Sequence, residues 1–149
     1  MRKMYLGFTL LLVASVASAQ QNFDNVQIKA QKVAGTVHML VGAGGNIGVS
    51  VGDDGIIIVD DQYAPLAPKI LEALKAISDK PIKFILNTHY HGDHTGGNEV
   101  LGRSAPLVAH ENVRTRLQNG MKVPGREVPP APKAALPIVT FDSKLTVHA

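Results

Sequence analysis

The chain has 149 residues, 45% of them hydrophobic, with fifteen Lys and Arg against twelve Asp and Glu and a formal charge of +3. That length allows one domain with enough apolar content to bury a core, and the absence of cysteine excludes a disulfide framework. Two of the basic residues fall in a leader, and without it thirteen face twelve acidic ones, a near balance with no basic stripe that excludes nucleic acid as an expected partner.

Arg2 and Lys3 precede an apolar run from Met4 to Val16, and Ala17-Ser18-Ala19 fits a signal-peptidase site before Gln20. Residues 1–19 therefore read as a secretory signal peptide. The apolar run of about 13 residues is well short of the roughly 20 that span a bilayer. The expected location is periplasmic or secreted, with no stable membrane association once the leader is removed.

Residues 20–32 are polar and weakly patterned, an extended lead-in that pairs late or stays loose. Val33, Val37, Met39 and Val41 alternate imperfectly with polar positions, and Ile47, Val49 and Val51 alternate strictly. Two strands joined by Gly42-Ala-Gly-Gly-Asn46 predict a hairpin; the glycine spacing matches no phosphate-binding loop, so a plain turn is expected there. After a second turn at 52–55, Ile56-Ile-Ile-Val59 reads as a buried strand ending in Asp60-Asp61. From Pro65, Leu66, Ile70, Leu74 and Ile77 recur at helical spacing, with Pro65 and Pro68 in the first turn, where a missing N–H costs least. Residues 78–81 stop this helix, and residues 81–86 form another buried strand. The whole is a β-α-β unit with parallel strands.

Beyond residue 98 a short helical turn at 99–101, a strand at 105–109 and a helix at 110–117 are expected. Residues 120–137 hold five of the nine prolines and read as a long loop. Residues 138–141 and 145–147 read as two closing strands.

Between the second buried strand and residue 98 lies Asn87-Thr-His-Tyr-His-Gly-Asp-His-Thr-Gly-Gly-Asn98, with His89, His91, Asp93 and His94 in the pattern H-x-H-x-D-H. A strand's carboxyl end is where open α/β sheets place ligands. Histidines at i and i+2 reach one metal only from extended or looped chain, while adjacent Asp93 and His94 leave the backbone in different directions. Two pairs serving two neighbouring metal positions follow, with donors suited to zinc and tolerable to iron or manganese. Each pair is at least one ligand short of the three that a catalytic zinc takes. Asp60, Asp61, His110 and His148 are the local candidates to fill the deficit, the alternative being donors beyond residue 149. His38, His110 and His148, each standing alone, otherwise read as ordinary histidines.

THYHGDHTGG after an apolar strand, preceded by GIIIVDD and an amphipathic helix, resembles the amino-terminal half of a metallo-β-lactamase-fold hydrolase over roughly Val33 to Leu117. The resemblance implies an α/β (α+β) chain folded as an αββα sandwich, of which residues 20–149 are the first half, broken off before the later ligand motifs and inactive by itself. It implies that His89 and His91 hold a first metal and Asp93 and His94 a second, usually zinc, with Asp60 bracing the loop from behind. By the same resemblance Asp93 would take the catalytic role of orienting the attacking water on a small-molecule ester, thioester, lactam or phosphoester. His94 after the aspartate is usual in glyoxalase-II-like thioesterases and subclass three lactamases. The competing expectation is a non-catalytic module in which the same donors close around one structural zinc.

Overall fold

In the computed structural model, residues 22–148 are described, Pro124 apart; the leader expected at 1–19 lies outside them. Nine strands and four α-helices follow the chain: β1 (Lys29–Ala34), β2 (Val37–Val41), β3 (Ile47–Val51), β4 (Ile56–Val59), α1 (Ala67–Ile77), β5 (Ile82–Asn87), α2 (Gly92–Thr95), α3 (Asn98–Leu101), β6 (Leu107–His110), α4 (Glu111–Asn119), β7 (Met121–Val123), β8 (Arg126–Val128) and β9 (Val139–Phe141). Seven of the strands form one sheet in the order β1-β2-β3-β4-β5-β6-β9. Its first four strands pair antiparallel, and β4, β5, β6 and β9 run parallel. The expected β-α-β unit is β4-α1-β5, with Ile57 opposite Phe84 and Val59 opposite Leu86.

Period-two alternation sends Leu40, Ile47, Val49, Ile56, Ile58 and Ile85 to one face of the sheet, where they pack with Leu66, Ile70 and Leu74 of the α1 region into the core. Ile57, Val59, Phe84 and Leu86 alternate to the other face and are only partly buried. A short 3-10 turn at Ala64–Leu66 carries Pro65 into α1. Among the described residues no helix is long and apolar enough to cross a membrane.

Of the two outcomes open to the lead-in, pairing holds from Lys29, where β1 lies along β2; all six residues of β1 are exposed, so there was no burial pattern to read. Three expectations are corrected. The single strand expected from Val33 to Val41 is broken by a turn at Gly35, whose φ of 51° glycine adopts freely. The loop at 120–137 contains β7 and β8, a two-stranded ribbon separate from the main sheet, which spares its prolines the ladder of a central strand. No strand forms at 145–147, where Leu145 and Val147 alternate beside no partner.

Candidate metal centre

Adjacent parallel strands β4 and β5 end at Val59 and Asn87, so Asp60 and Thr88 leave the sheet side by side. Asp60 takes a φ of 67°, costly for a non-glycine residue but most accessible to Asp and Asn. That turn aims its carboxylate, 4% exposed, at the loop. Oδ1 accepts the Thr88 N–H at 2.8 Å. Oδ2 accepts the Thr88 hydroxyl at 2.8 Å and meets His94 Nδ1 at 2.7 Å.

These contacts fix two imidazole tautomers. A carboxylate only accepts, so the His94 proton lies on Nδ1 and the lone pair on Nε2. The Thr88 hydroxyl, its hydrogen directed to Asp60, can only accept at its second contact, His89 Nδ1 at 3.0 Å, which leaves the His89 lone pair on Nε2 as well. One buried carboxylate thus sets both rings, the first directly and the second through a hydroxyl, the way outer hydrogen bonds orient metal-binding histidines. The pKa of His89 is held below the ordinary imidazole value by desolvation first and by His94 and His91 next, against the opposite pull of Asp60 and Asp93. The neutral ring so favoured is the form that ligates.

His89 Nε2 lies 3.1 Å from His91 Nδ1, and His94 Nε2 lies 3.5 Å from Asp93 Oδ2. The edge of a zinc tetrahedron with bonds of 2.0–2.1 Å is about 3.3 Å, so each pair is spaced as two ligands of one ion would be. The His89 and His94 ring centroids are 4.0 Å apart, which makes the two positions neighbours. The donors therefore fit zinc in type and spacing. Among the described residues no three His, Cys, Asp or Glu side chains converge on one metal position, the deficit the motif itself implies.

None of the local candidates fills that deficit. Asp60 is engaged behind His94. Asp61 is fully buried and turned away, its Oδ1 accepting the Gly97 N–H at 3.0 Å and its Oδ2 without a partner. Burial pushes the Asp61 carboxyl up to about 8, with the Gly97 hydrogen bond opposing and the Asp60 charge adding. His110 caps α4 by accepting the Asn112 N–H on Nδ1 at 3.0 Å, and its Nε2 lies 2.7 Å from the Asp142 carbonyl. His148 is exposed beyond β9.

The structure adds residues that the motif did not indicate. Asn87 and Asn98 exchange two side-chain hydrogen bonds of 3.0 Å and close the base of the loop. Gln62, fully buried with a φ of 54°, donates to the Gly45 carbonyl at 2.5 Å and accepts the Ala43 N–H at 3.4 Å. It draws the glycine-rich turn against the site. A Cβ on Gly45 would stand 2.6 Å from His94 Nε2, and one on Gly44 2.5 Å from Asp93 Cβ. The turn expected to be plain is a wall of the site, and its three glycines in five residues were the signal. A cleft of about 630 Å³ opens beside these donors, bounded by His91, Asp93, Tyr63 and Tyr90 on one side and by α4 and the β7–β8 ribbon on the other.

Residues 40–146 match the metallo-beta-lactamase superfamily. A linear primary-alkylsulfatase of Pseudomonas sp. (strain ATCC 19151) is 47% identical over 63 residues, which are 42% of this chain and 11% of that protein. A B3 metallo-beta-lactamase described as the first with an active-site glutamic acid is 25% identical with a TM-score of 0.65, covering 79% of this chain and 47% of its own. The di-zinc B3 enzyme LRA-12 from an Alaskan soil metagenome superposes at 0.71 with 20% identity, covering 89% and 53%. The B3 enzyme BJP-1 of Bradyrhizobium japonicum superposes at 0.64 with 23% identity, covering 81% and 48%. The chain spans about half the length of these solved structures. The match runs from β2 past β9 and takes in the whole H-x-H-x-D-H loop with the carboxylate behind it: the chain belongs to the metallo-β-lactamase superfamily.

Proposed function

We propose that this protein is an exported metal-dependent hydrolase, with His89 and His91 serving one zinc position and Asp93 and His94 its neighbour. The observation that carries the reading is the pairing of donors at tetrahedral edge distances with both ring tautomers set from Asp60. When bound, zinc supplies Lewis acidity and lowers the pKa of water to about 7. The chain's own residues prepare that chemistry. Asp60 and Thr88 keep the Nε2 lone pairs of His94 and His89 available, Asn87 and Asn98 hold the loop's base, and Asp93 is the carboxylate that accepts a hydrogen of the attacking water. The substrate set is an ester, thioester, lactam or phosphoester; the B3 lactamases support the lactam, and the alkylsulfatase relative adds a sulfate ester.

A closed structural zinc site would use the same donors. The cleft beside His91 and Asp93 favours an open one, with room for water and substrate. Export rests on the leader pattern at 1–19.

Metal uptake tests the reading on the 149-residue chain directly. With two ligands at each position, weak zinc binding read by competition with a chromophoric chelator, and weakened further in His89→Ala or His94→Ala with the fold intact by circular dichroism, is the expected result. A chain that binds no zinc, or binds it equally in both variants, would sink the assignment. Hydrolysis is proposed for the whole protein, and it should vanish on chelation and return with zinc; turnover indifferent to chelation overturns the metal mechanism.

A further inference from the structure

We propose that the cleft beside the donor pairs recognises an anionic group through Arg116, so that the preferred substrate carries a carboxylate, sulfate or phosphate on an apolar body. The substrate assignment rests on the hydrolase reading above; the binding itself does not. Arg116 lies in α4, and its guanidinium carbon stands 4.7 Å from the centre of the Tyr90 ring, on the wall that also presents His91 and Asp93. A guanidinium stacked on an aromatic face is held in orientation while the N–H groups at its edge stay free to bind a planar or tetrahedral anion.

Among the described residues no group takes up that capacity. Among the described residues the ion pairs are His94 with Asp60, His94 with Asp93, and Lys122 with Glu127, and Arg116 has no hydrogen-bond partner. Arg114, two residues earlier, is the contrast: it donates to the Pro137 carbonyl at 2.5 Å and ties α4 to the approach of β9. The rest of the far wall is apolar, formed by Leu117, Met121, Val128 and Pro129. Asp93 and Arg116 are thus the cleft's fixed charges, of opposite sign. A ligand that places its reacting bond at Asp93 and its anion at Arg116 leaves an apolar body to lie against the ribbon. A neutral substrate of the same shape would leave Arg116 without a counterion.

The test is equilibrium binding of hexyl sulfate, hexanoate and hexanol to the 149-residue chain, stripped of metal by chelation and dialysis so that no zinc competes for the anion. Both anions are expected to bind about five- to tenfold more tightly than hexanol, the range of a charge-assisted contact at a partly exposed site. Arg116→Gln should erase the difference and Arg116→Lys should keep part of it. Lys32→Gln, on β1 at the opposite edge of the sheet, should leave it unchanged. Preference for one anion over the other would assign carboxylate or sulfate chemistry within the proposal. Equal binding of anions and hexanol, or an undiminished preference in Arg116→Gln, overturns it. A chain that prefers anions but takes up no zinc sinks the hydrolase reading alone, and one that takes up zinc without preferring anions sinks this proposal alone.

Discussion

Asp60→Asn reverses the polarity of the hydrogen bonds behind the site while leaving its shape and backbone in place. Asparagine tolerates the φ of 67° at this position. Its carbonyl oxygen must remain opposite the Thr88 N–H, because the alternative rotamer sets two donors against each other. The amide nitrogen then faces the Thr88 hydroxyl and His94 Nδ1, and both must accept where they now donate. The His94 proton moves to Nε2, and the Thr88 hydrogen, freed from Asp60, turns to His89 Nδ1 and drives that ring's proton to Nε2 as well. Each donor pair loses its Nε2 lone pair from one substitution. The metal-free fold gives up three charge-assisted bonds for neutral ones, a difference of about 1 kcal/mol each. Metal affinity should fall about 10- to 100-fold, the usual cost of losing an outer partner of a ligating histidine. Competition with a chromophoric chelator reads the affinity, and urea unfolding of the metal-free chain reads the stability. Affinity within about twofold of the parent, against that 10- to 100-fold expectation, would refute the tautomer argument whatever the stability shows.

Thr88→Val removes the hydroxyl that links Asp60 to His89 and should weaken the His89–His91 position about tenfold by chelator competition, with Thr88→Ser restoring it; a valine variant with parental affinity would count against the relay. Gly45→Ala places a methyl group 2.6 Å from His94 Nε2 and should cost about 1–3 kcal/mol of stability as overpacking does, read by urea unfolding, while lowering zinc stoichiometry; an alanine variant as stable and as metal-loaded as the parent would show the turn to be plain after all. Asp61, pushed up to about 8 in the folded chain from about 3.9 unfolded, holds its proton in the native state across that window, so native stability falls as pH rises through it. Between pH 5 and 7 the metal-free parent should lose roughly 3 kcal/mol more than Asp61→Asn, at about 1.4 kcal/mol per unit, and equal pH slopes in urea unfolding would exclude the assignment.

The β-α-β unit and the donor loop were legible because each rests on a local pattern. Ile56 to Val59 is a β-branched run, α1 has its stripe of four apolar residues, and His89 to His94 are adjacent in the chain. What escaped was set by tertiary contact. β1 is held by its backbone ladder to β2 with every side chain exposed, so hydrophobic periodicity had nothing to report. Lys69 donates to the carbonyls of Phe23, Asp24 and Val26 and fastens the lead-in to α1, a contact 43 to 46 residues away in sequence. Gln62 was unreadable for the same reason, being a polar residue fully buried by bonds to a turn on another hairpin. Asp60 was the intermediate case, since its place after a buried strand marked it as an acidic group at the sheet edge while its three hydrogen bonds required the neighbouring strand end to be in view.

The two donor pairs are supported from different directions, and this decides how the site responds to change. His89 hangs from Thr88, the first residue past β5, so its position follows the parallel β4–β5 register. Asp93 and His94 sit in α2, a single turn of helix too short to hold itself, and are confined by Gly44 and Gly45 from the β2–β3 turn, which Gln62 draws inward. A change in the antiparallel half of the sheet therefore reaches Asp93 and His94 first, and a change in the parallel half reaches His89 first. The Asp60 carboxylate touches both lines of support, directly at His94 and through Thr88 at His89. Its left-handed backbone aims the carboxylate at Thr88 and His94 together, so that the two donor pairs share one charged brace.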